Sequence, residues 1–447
     1  MTGYAVLSGL YGELRGYGRL RIRRAAARNA RRSAAELDAA ARAAFAARVR
    51  AALRRFPAYA ETVRRRGGGL PRAEGALDPA GLPVWTRQDQ RALFAALPGP
   101  PAAGAFCHAT GGSTGVPLRF YVTRESFEWR SAVSDRGYSW AGAEEGRKSF
   151  YVWGTPIRAP GPWTRLKQEL HHRLQRRTYF DSFHFGDEQK RRCCEAINRQ
   201  RPPVIVGYAG NLIDLARFAR DNPGLLRWRA RALVTAAEGL APGRRELLEE
   251  HLGGKVFMSY GSREFMLIGM ECREHRGYHL AADNLYVEVA DEEGRPAAPG
   301  QTGRILITDL HNDANPFIRY EIGDLGSLFE PGYRCPCGLP FPLLAAVEGR
   351  LQETIETADG QRLTALFVPH LMKEFAWIEG YQIVQRGRAA LRVELVAGRE
   401  LTPALTEPVA AELRKKVGDA MRIEFARVPQ LRKTAAGKTP IVVREAE

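Results

Sequence analysis

Residues 106–120 read Phe106-Cys107-His108-Ala109-Thr110-Gly111-Gly112-Ser113-Thr114-Gly115-Val116-Pro117-Leu118-Arg119-Phe120. Two adjacent glycines followed by Ser113-Thr114-Gly115 make a flexible loop whose backbone N–H groups can converge on one anion. The hydroxyls of Thr110, Ser113 and Thr114 add donors that can follow phosphate oxygens as charge shifts. Pro117 stops the loop from running on as helix. Taken alone, a Gly/Ser/Thr run is more often a plain turn, and this one lacks the Gly-Lys-Ser/Thr of the Walker loop. The sequence on either side decides between the two.

From about 147 to 345, short apolar runs alternate with helical stretches. Ser149-Phe150-Tyr151-Val152-Trp153 and Val204-Ile205-Val206-Gly207-Tyr208 read as buried strands. A third strand at 230–235 leads to a helix at about 243–251, and 255–260 is strand again. This alternation predicts an α/β domain on parallel sheet. After about 277, strands follow one another at 286–289, 303–309 and 326–329, which predicts a β-rich subdomain. The last hundred residues start a new rhythm: strand and turn at 355–360, a helix near 364–375, strands near 381–385 and 391–396, a helix near 403–418 and a final strand near 421–426. Val347-Glu348-Gly349-Arg350 is the candidate linker. Upstream, residues 20–66 read as helical until Gly67-Gly68-Gly69 ends them, and Thr86 is placed to cap a helix over 87–97. The expected class is α/β: an N-terminal helical segment (1–70) packed on a large domain (71–348) of mixed and parallel sheet, then a small α+β domain (349–447).

The 447 residues exceed the roughly 250–300 at which a single core stops growing, and 45% hydrophobic content is ordinary for a globular protein. No run approaches the ~18 apolar residues that span a bilayer, and residues 1–20 lack the order of a secretory signal, so a cytoplasmic location is expected. The net charge of +17 is concentrated at the start, where residues 1–66 hold 16 Arg against 4 acidic residues. Interleaved with Ala, these arginines read as wet basic helix faces; a membrane-surface or nucleic-acid patch is the other reading. No recognition helix, RNP motif or zinc-finger spacing is present, so no nucleic acid is expected. Six cysteines in a long chain without a signal do not suggest a disulfide framework. Cys193-Cys194 falls on a predicted helix, and His171-His172 in an Arg/Lys-rich, solvated one. No Gly-x-Ser-x-Gly elbow points to a hydrolase.

Further motifs follow the loop in order. They are Ala236-Ala237-Glu238-Gly239, Tyr260-Gly261-Ser262-Arg263-Glu264, Arg319-Tyr320-Glu321-Ile322-Gly323-Asp324, Gly349-Arg350 and Thr434-Ala435-Ala436-Gly437-Lys438. Together with the loop they resemble the motif series of the adenylate-forming, AMP-forming ligases. Phe56-Pro57-Ala58-Tyr59 and Leu82-Pro83-Val84-Trp85-Thr86 resemble the branch of phenylacetate–CoA ligases, coenzyme F390 synthetases and CapK proteins. The resemblance implies the adenylate-forming enzyme fold with a mobile C-terminal domain, ATP and Mg²⁺ as cofactors, a carboxylic acid as substrate and CoA as acceptor. Other acceptors stay open: an amine giving an amide, or a hydroxyl receiving AMP. A non-catalytic protein that keeps only the fold is the third reading, and the presence of Lys438, Glu264 and Asp324 together argues against it.

The roles the resemblance implies have physical reasons. Attack of a carboxylate on the α-phosphate brings two anions together, so charge must be neutralised. Lys438 would bridge carboxylate and α-phosphate, and Glu264 would hold Mg²⁺. Asp324 would accept from the ribose hydroxyls and Tyr260 would pack on adenine beside Ala237, Glu238 and Gly239. Gly261, Ser262 and Arg263 would line the nucleotide, and Arg350 would reach ribose or phosphate across the hinge. Thr110 to Gly115 would hold the pyrophosphate end. Three positions depart from the pattern: Arg263 replaces a Thr, Leu118 stands where many relatives carry Lys, and Gln352 replaces an acidic hinge residue. The acid pocket is expected near Tyr151–Gly154, Tyr208–Gly210 and Ala236–Glu238, whose aromatics suit an aryl acid or serve as core. A homodimer is compatible with the sequence.

Cys272, His279, Cys335 and Cys337 form a second constellation. Two thiols on the Cys335-Pro336-Cys337-Gly338 knuckle, one earlier thiol and one imidazole would make a closed Cys₃His zinc site of structural type. His275 is the alternative fourth ligand, and unrelated free thiols are the plain alternative.

Overall fold

In the computed structural model, the described residues are 3–66 except 15; 77–153 except 103 and 111–117; 163, 166, 169–170, 172–173, 175–182, 185–236 and 239–240; 243–350 except 331; and 354–358, 362–365, 367–372, 374–375, 377–433 and 439–445. The chain opens with α1 (Gly3–Leu14), α2 (Arg19–Asn29), α3 (Ala34–Arg55) and α4 (Pro57–Arg65). The single helical stretch expected over 20–66 is thus three helices. Ser33 caps α3 in a reciprocal box with Glu36, and Pro57 restarts the chain as the first residue of α4. Thr86 caps α5 (Arg87–Ala96) in the same way with Asp89. Phe45, Val49 and Tyr59 from α3 and α4 join Trp85, Phe120, Phe265, Phe317 and Tyr320 in the largest core.

Strands β1 (Phe106–Ala109) and β2 (Arg119–Val122) form a small antiparallel hairpin. Helix α6 (Arg124–Ser139) follows. Next come β3 (Ser149–Trp153), β4 (Arg177–Asp181), β5 (Val204–Tyr208), β6 (Ala232–Ala236), β7 (Lys255–Ser262), β8 (Met266–Met270), β9 (Tyr278–Leu280), β10 (Leu285–Ala290), β11 (Gly303–Asp309), β12 (Tyr320–Leu328) and β13 (Leu343–Arg350). They join in one eleven-stranded sheet of order β10-β11-β12-β13-β9-β8-β7-β6-β5-β3-β4. From β4 to β7 the pairing is parallel, and from β7 outward it is antiparallel. The mixed α/β class follows from this. Val204, Ile205 and Val206 are almost wholly buried, as parallel strands covered on both faces must be. Helices Asp187–Gln200, Ala209–Asp221 and Arg244–Leu252 supply the cover, and Cys193 and Cys194 lie inside that core.

The remaining strands are β14 (Thr354–Glu356), β15 (Arg362–Thr364), β16 (Gly380–Arg386), β17 (Ala390–Val396), β18 (Arg422–Arg427) and β19 (Val442–Glu445). The last four make a sheet of order β18-β17-β16-β19. Ile355, Val368, Ile383, Val393, Leu413 and Met421 form a core of their own. The sequence reading ends at a strand near 421–426 and misses β19, which pairs parallel with β16. This C-terminal part meets the helix Ala209–Asp221. The Lys433 ammonium donates to Asn211 and Asp214 at 2.8 Å each, and Arg217 donates to the Glu379 carbonyl at 2.7 Å.

Candidate active site

In open α/β sheets, ligands bind beyond the carboxyl ends of the parallel strands. Here Trp153, the last residue of β3, stacks on Tyr208, the last of β5, with ring centroids 4.2 Å apart. β6 ends beside them at Ala236, and Gly239 is exposed just past it. β7 is the switch. Its first half pairs parallel with β6, and its second half, from Ser259, pairs antiparallel with β8. The Tyr260–Glu264 motif therefore lies where the sheet changes sense. Gly261 is required there, since a Cβ would stand 2.2 Å from the Met266 carbonyl oxygen. Ser262 accepts from the Phe265 N–H and closes the turn.

The structure joins the Tyr260 motif to the Asp324 motif. The Tyr260 hydroxyl donates to the Asp324 carboxylate at 2.9 Å. Gly323, at φ 87, takes a backbone conformation that favours glycine and turns the chain into Asp324. Asp324 pairs in register with Arg350 across β12 and β13, so the backbone places the two predicted ribose-side residues opposite each other.

The neck of the Gly/Ser/Thr loop is fixed by hydrogen bonds. Thr110 N–H donates to the Leu118 carbonyl and Leu118 N–H to the Thr110 hydroxyl, both at 2.9 Å. Leu118 is fully buried. Its departure from Lys is therefore a packing role that holds the neck to the core. Residues Gly111, Gly112, Ser113, Thr114, Gly115, Ala237, Glu238 and Lys438 lie outside the described residues, as do Gln352 and the side chain of Arg350.

Arg87, which the sequence shows only as the start of a helix, connects Thr110 at the loop's neck to the Glu264 carboxylate. Its guanidinium donates to the Thr110 hydroxyl at 2.9 Å and lies 3.9 Å from the Glu264 carboxylate. Among the described residues the buried Arg87 Nε has no hydrogen-bond partner. Glu264 is 6% exposed. Burial pushes the Tyr320 phenol up, and the nearby Glu264 carboxylate pushes the same way. α5 reaches this spot because Trp85 bridges to β12: Trp85 N–H donates to the Arg319 carbonyl at 3.0 Å, and Glu321 N–H donates to the Trp85 carbonyl at 2.9 Å. The only signal in the sequence was a basic residue directly after the capping Thr86. Arg263 is exposed. Burial, then the charges of Arg130 and Arg263, hold the His108 imidazole below its ordinary pKa, which places the Arg263 charge on the loop side of the site.

The cysteine constellation also comes together. One ligand atom from each of Cys272, His279, Cys335 and Cys337 lies within 4.8 Å of all the others. The Cys272 and Cys335 sulfurs are 3.6 Å apart, and Cys337 Sγ is 3.2 Å from His279 Nε2. Tetrahedral zinc with ~2.3 Å Zn–S bonds needs sulfurs about 3.8 Å apart, so the donor set fits zinc. His279 Nδ1 lies 3.1 Å from the Phe341 carbonyl, which turns Nε2 toward the thiols. Backbone N–H groups of Glu274 and Leu339 reach Cys272 and Cys337 at 3.4 Å each. His275 instead faces Glu271 at 3.2 Å and Arg245 at 3.3 Å, so the geometry selects His279. His172, expected to be solvated, packs its ring against Tyr179.

Comparisons with known proteins agree with this geometry. Residues 355–445 match the family model of the CapK C-terminal domain. A phenylacetate-coenzyme A ligase of Thermus thermophilus is 25% identical over 418 residues, covering 86% of this chain and 91% of that protein. Protein CapK of Staphylococcus aureus is 24% identical over 219 residues, covering 48% of this chain and 46% of CapK. The chain is thus similar over most of its length to a phenylacetate-coenzyme A ligase, and its C-terminal part matches the CapK C-terminal family. A crystal structure of 2-hydroxyisobutyryl-CoA ligase in the postadenylation state, in complex with an acyl-AMP, matches with a TM-score of 0.72 at 21% identity. It covers 94% of this chain and 91% of that one. At that identity it attests the fold, across nearly the whole chain. Among the described residues no helix is long and apolar enough to cross a membrane.

Proposed function

We propose that this chain is an ATP-dependent, AMP-forming ligase that adenylates a carboxylic acid and transfers the acyl group to CoA. The observation that carries the proposal is the joining of separate motifs at one sheet edge. Tyr260 bonds Asp324, and Arg87 links Thr110 of the loop to Glu264. In the first step a substrate carboxylate oxygen attacks the α-phosphorus of ATP. The bond to the β-phosphate oxygen breaks and pyrophosphate leaves. In the second step the CoA sulfur attacks the acyl carbon, loses its proton, and AMP departs. Pyrophosphate carries away charge that Arg87, Glu264-bound Mg²⁺ and the loop N–H groups would neutralise. Asp324 and Tyr260 would orient ribose and adenine. Trp153 and Tyr208 form a flat apolar wall that favours a planar or aryl acid.

Several finer assignments belong to the same proposal. Residues 1–70, 71–348 and 349–447 serve as helical segment, large domain and small domain. The location is cytoplasmic, where ATP and CoA are available. The acceptor is the open part, because 355–445, which would face it, matches CapK. The test is pyrophosphate release across a panel of carboxylic acids, with CoA, amines or no acceptor. Acid-dependent release with a thioester product supports the reading. No acid-dependent release with any acid sinks it, and an amide product would move the acceptor to an amine.

Arg87→Ala should lower kcat/KM for ATP by about ten- to hundredfold, the worth of a hydrogen bond to a charged group. Arg87→Lys should recover only part of this, because a compact ammonium lacks the rigid planar fork with which the guanidinium spans Thr110 and phosphate. Unchanged ATP kinetics in Arg87→Ala would remove Arg87 from the site. For the cysteine cluster we infer a structural zinc. Metal analysis of protein purified without chelator should find about one equivalent, and Cys335→Ser should lose it. Full zinc content in Cys335→Ser would show the metal to be elsewhere.

A further inference from the structure

Helix α1 is built inside out. Val6, Leu7, Leu10 and Leu14 are 39%, 66%, 49% and 88% exposed. At about 100° per residue they fall within one arc of roughly 100°. The opposite side carries Gly9 and Gly12, which press on α2. A Cβ at Gly9 would stand 2.2 Å from the Leu20 side chain, and one at Gly12 would stand 2.7 Å from Arg19 Cβ. Small residues thus occupy the inner face and leucines the outer one. Single exposed apolar residues need no explanation, but a contiguous stripe does.

A second stripe lies on another helical segment. Helical positions Trp163, Leu166 and Leu170, spaced i, i+3, i+7, are 76%, 56% and 58% exposed. The two stripes are attached to one ion-pair network. Arg23 of α2 reaches Asp135 at 2.6 Å, and Arg177 at the start of β4 reaches the same carboxylate at 3.2 Å. Two residues on, Tyr179 packs against His172 of the second helical segment at 4.5 Å between ring centroids. Both stripes are set in basic sequence. Arg24, Arg28, Arg31 and Arg32 are exposed on and after α2. Residues 157–177 carry Arg158, Arg165, Lys167, Arg173, Arg176 and Arg177 against a single acid, Glu169.

We propose that these two stripes dock the protein on an anionic phospholipid surface. Apolar arcs beside arginines, with a tryptophan at one edge, match helices that lie in the interface plane of a bilayer. The arginines complement the charge of an anionic leaflet. A second copy of this chain is the poorer partner, because it would bring two bodies of net charge +17 together. The contact is peripheral, since none of the described helices can span a membrane.

The test is co-sedimentation of the full chain with vesicles of phosphatidylcholine alone and of phosphatidylcholine with phosphatidylglycerol. Binding should be about tenfold stronger to the anionic vesicles and should weaken as salt is raised. The triple variant Leu7→Asp, Leu10→Asp, Leu14→Asp should lose about tenfold in binding. Its far-UV circular dichroism and melting should match wild type, because α1 packs through its other face. Trp163→Ala with Leu166→Ala should weaken binding independently. Equal binding to both vesicles, no binding to either, or undiminished binding by the triple variant overturns the proposal. So does a triple variant whose sole change, by light scattering, is from dimer to monomer.

Discussion

Lys438→Ala is expected to lower kcat for acid-dependent pyrophosphate release by about 10²–10³-fold, the range seen when one preorganised donor is removed from where charge develops. As the carboxylate approaches the α-phosphate, negative charge accumulates between them, and a compact ammonium stabilises that arrangement more than either reactant alone. The loss should therefore appear equally in kcat and kcat/KM, with the apparent affinity for ATP little changed. The chain is held on both sides of residues 434–438. Lys433 is tied to Asn211 and Asp214, in a helix that begins directly after β5. β19 fixes the chain again from Val442. Given a preformed acyl-adenylate, the variant should still make thioester, because the lysine serves only the first step. A variant that keeps more than about a tenth of wild-type release would detach Lys438 from the chemistry.

What the sequence made legible depended on the kind of signal. The parallel strands were readable because their burial on both faces demands unbroken apolar runs, as in Val204-Ile205-Val206. Two of the motifs in the ordered series, those of Tyr260 and Asp324, meet in the structure. The breaks at Ser33 and Pro57 carry capping signals, but the Arg/Ala background between them looks helical throughout and hides them. β19 is four residues long and gains its identity only from pairing with β16, some 60 residues earlier. Arg87 could not be read at all, because its role arises from Trp85 bridging to Tyr320, a contact across more than 230 residues of chain. The choice of His279 over His275 likewise rests on a register. β9 pairs His279 with Leu343, which brings it beside the Cys335–Cys337 knuckle, while His275 turns away toward Glu271.

Asp309→Ala is expected to destabilise the large domain by about 3–5 kcal/mol, the cost of leaving one charge of a buried pair without its partner. Asp309 ends β11 and is 1% exposed; Arg130, from the middle of α6, is 2% exposed. Arg130 donates to Asp309 at 2.6 Å, and the other carboxylate oxygen accepts from the His311 N–H at 3.1 Å. Among the described residues the buried Arg130 Nε already has no hydrogen-bond partner, so losing the carboxylate strands a guanidinium with little water to replace it. Around this pair Thr123 N–H donates to the Asn312 side chain at 3.2 Å, and Asn312 donates to the Tyr121 carbonyl at 2.9 Å. The pair therefore also steadies β2, one side of the loop neck at Thr110 and Leu118. Urea denaturation followed by a probe in the large domain measures the loss. The double variant Arg130→Met, Asp309→Leu should recover most of it, since an apolar pair of similar volume removes the desolvated charges altogether. A cost for Asp309→Ala below about 1 kcal/mol is the value of an exposed pair; it would mean that water reaches Arg130 and that α6 is not held to β11 by this contact.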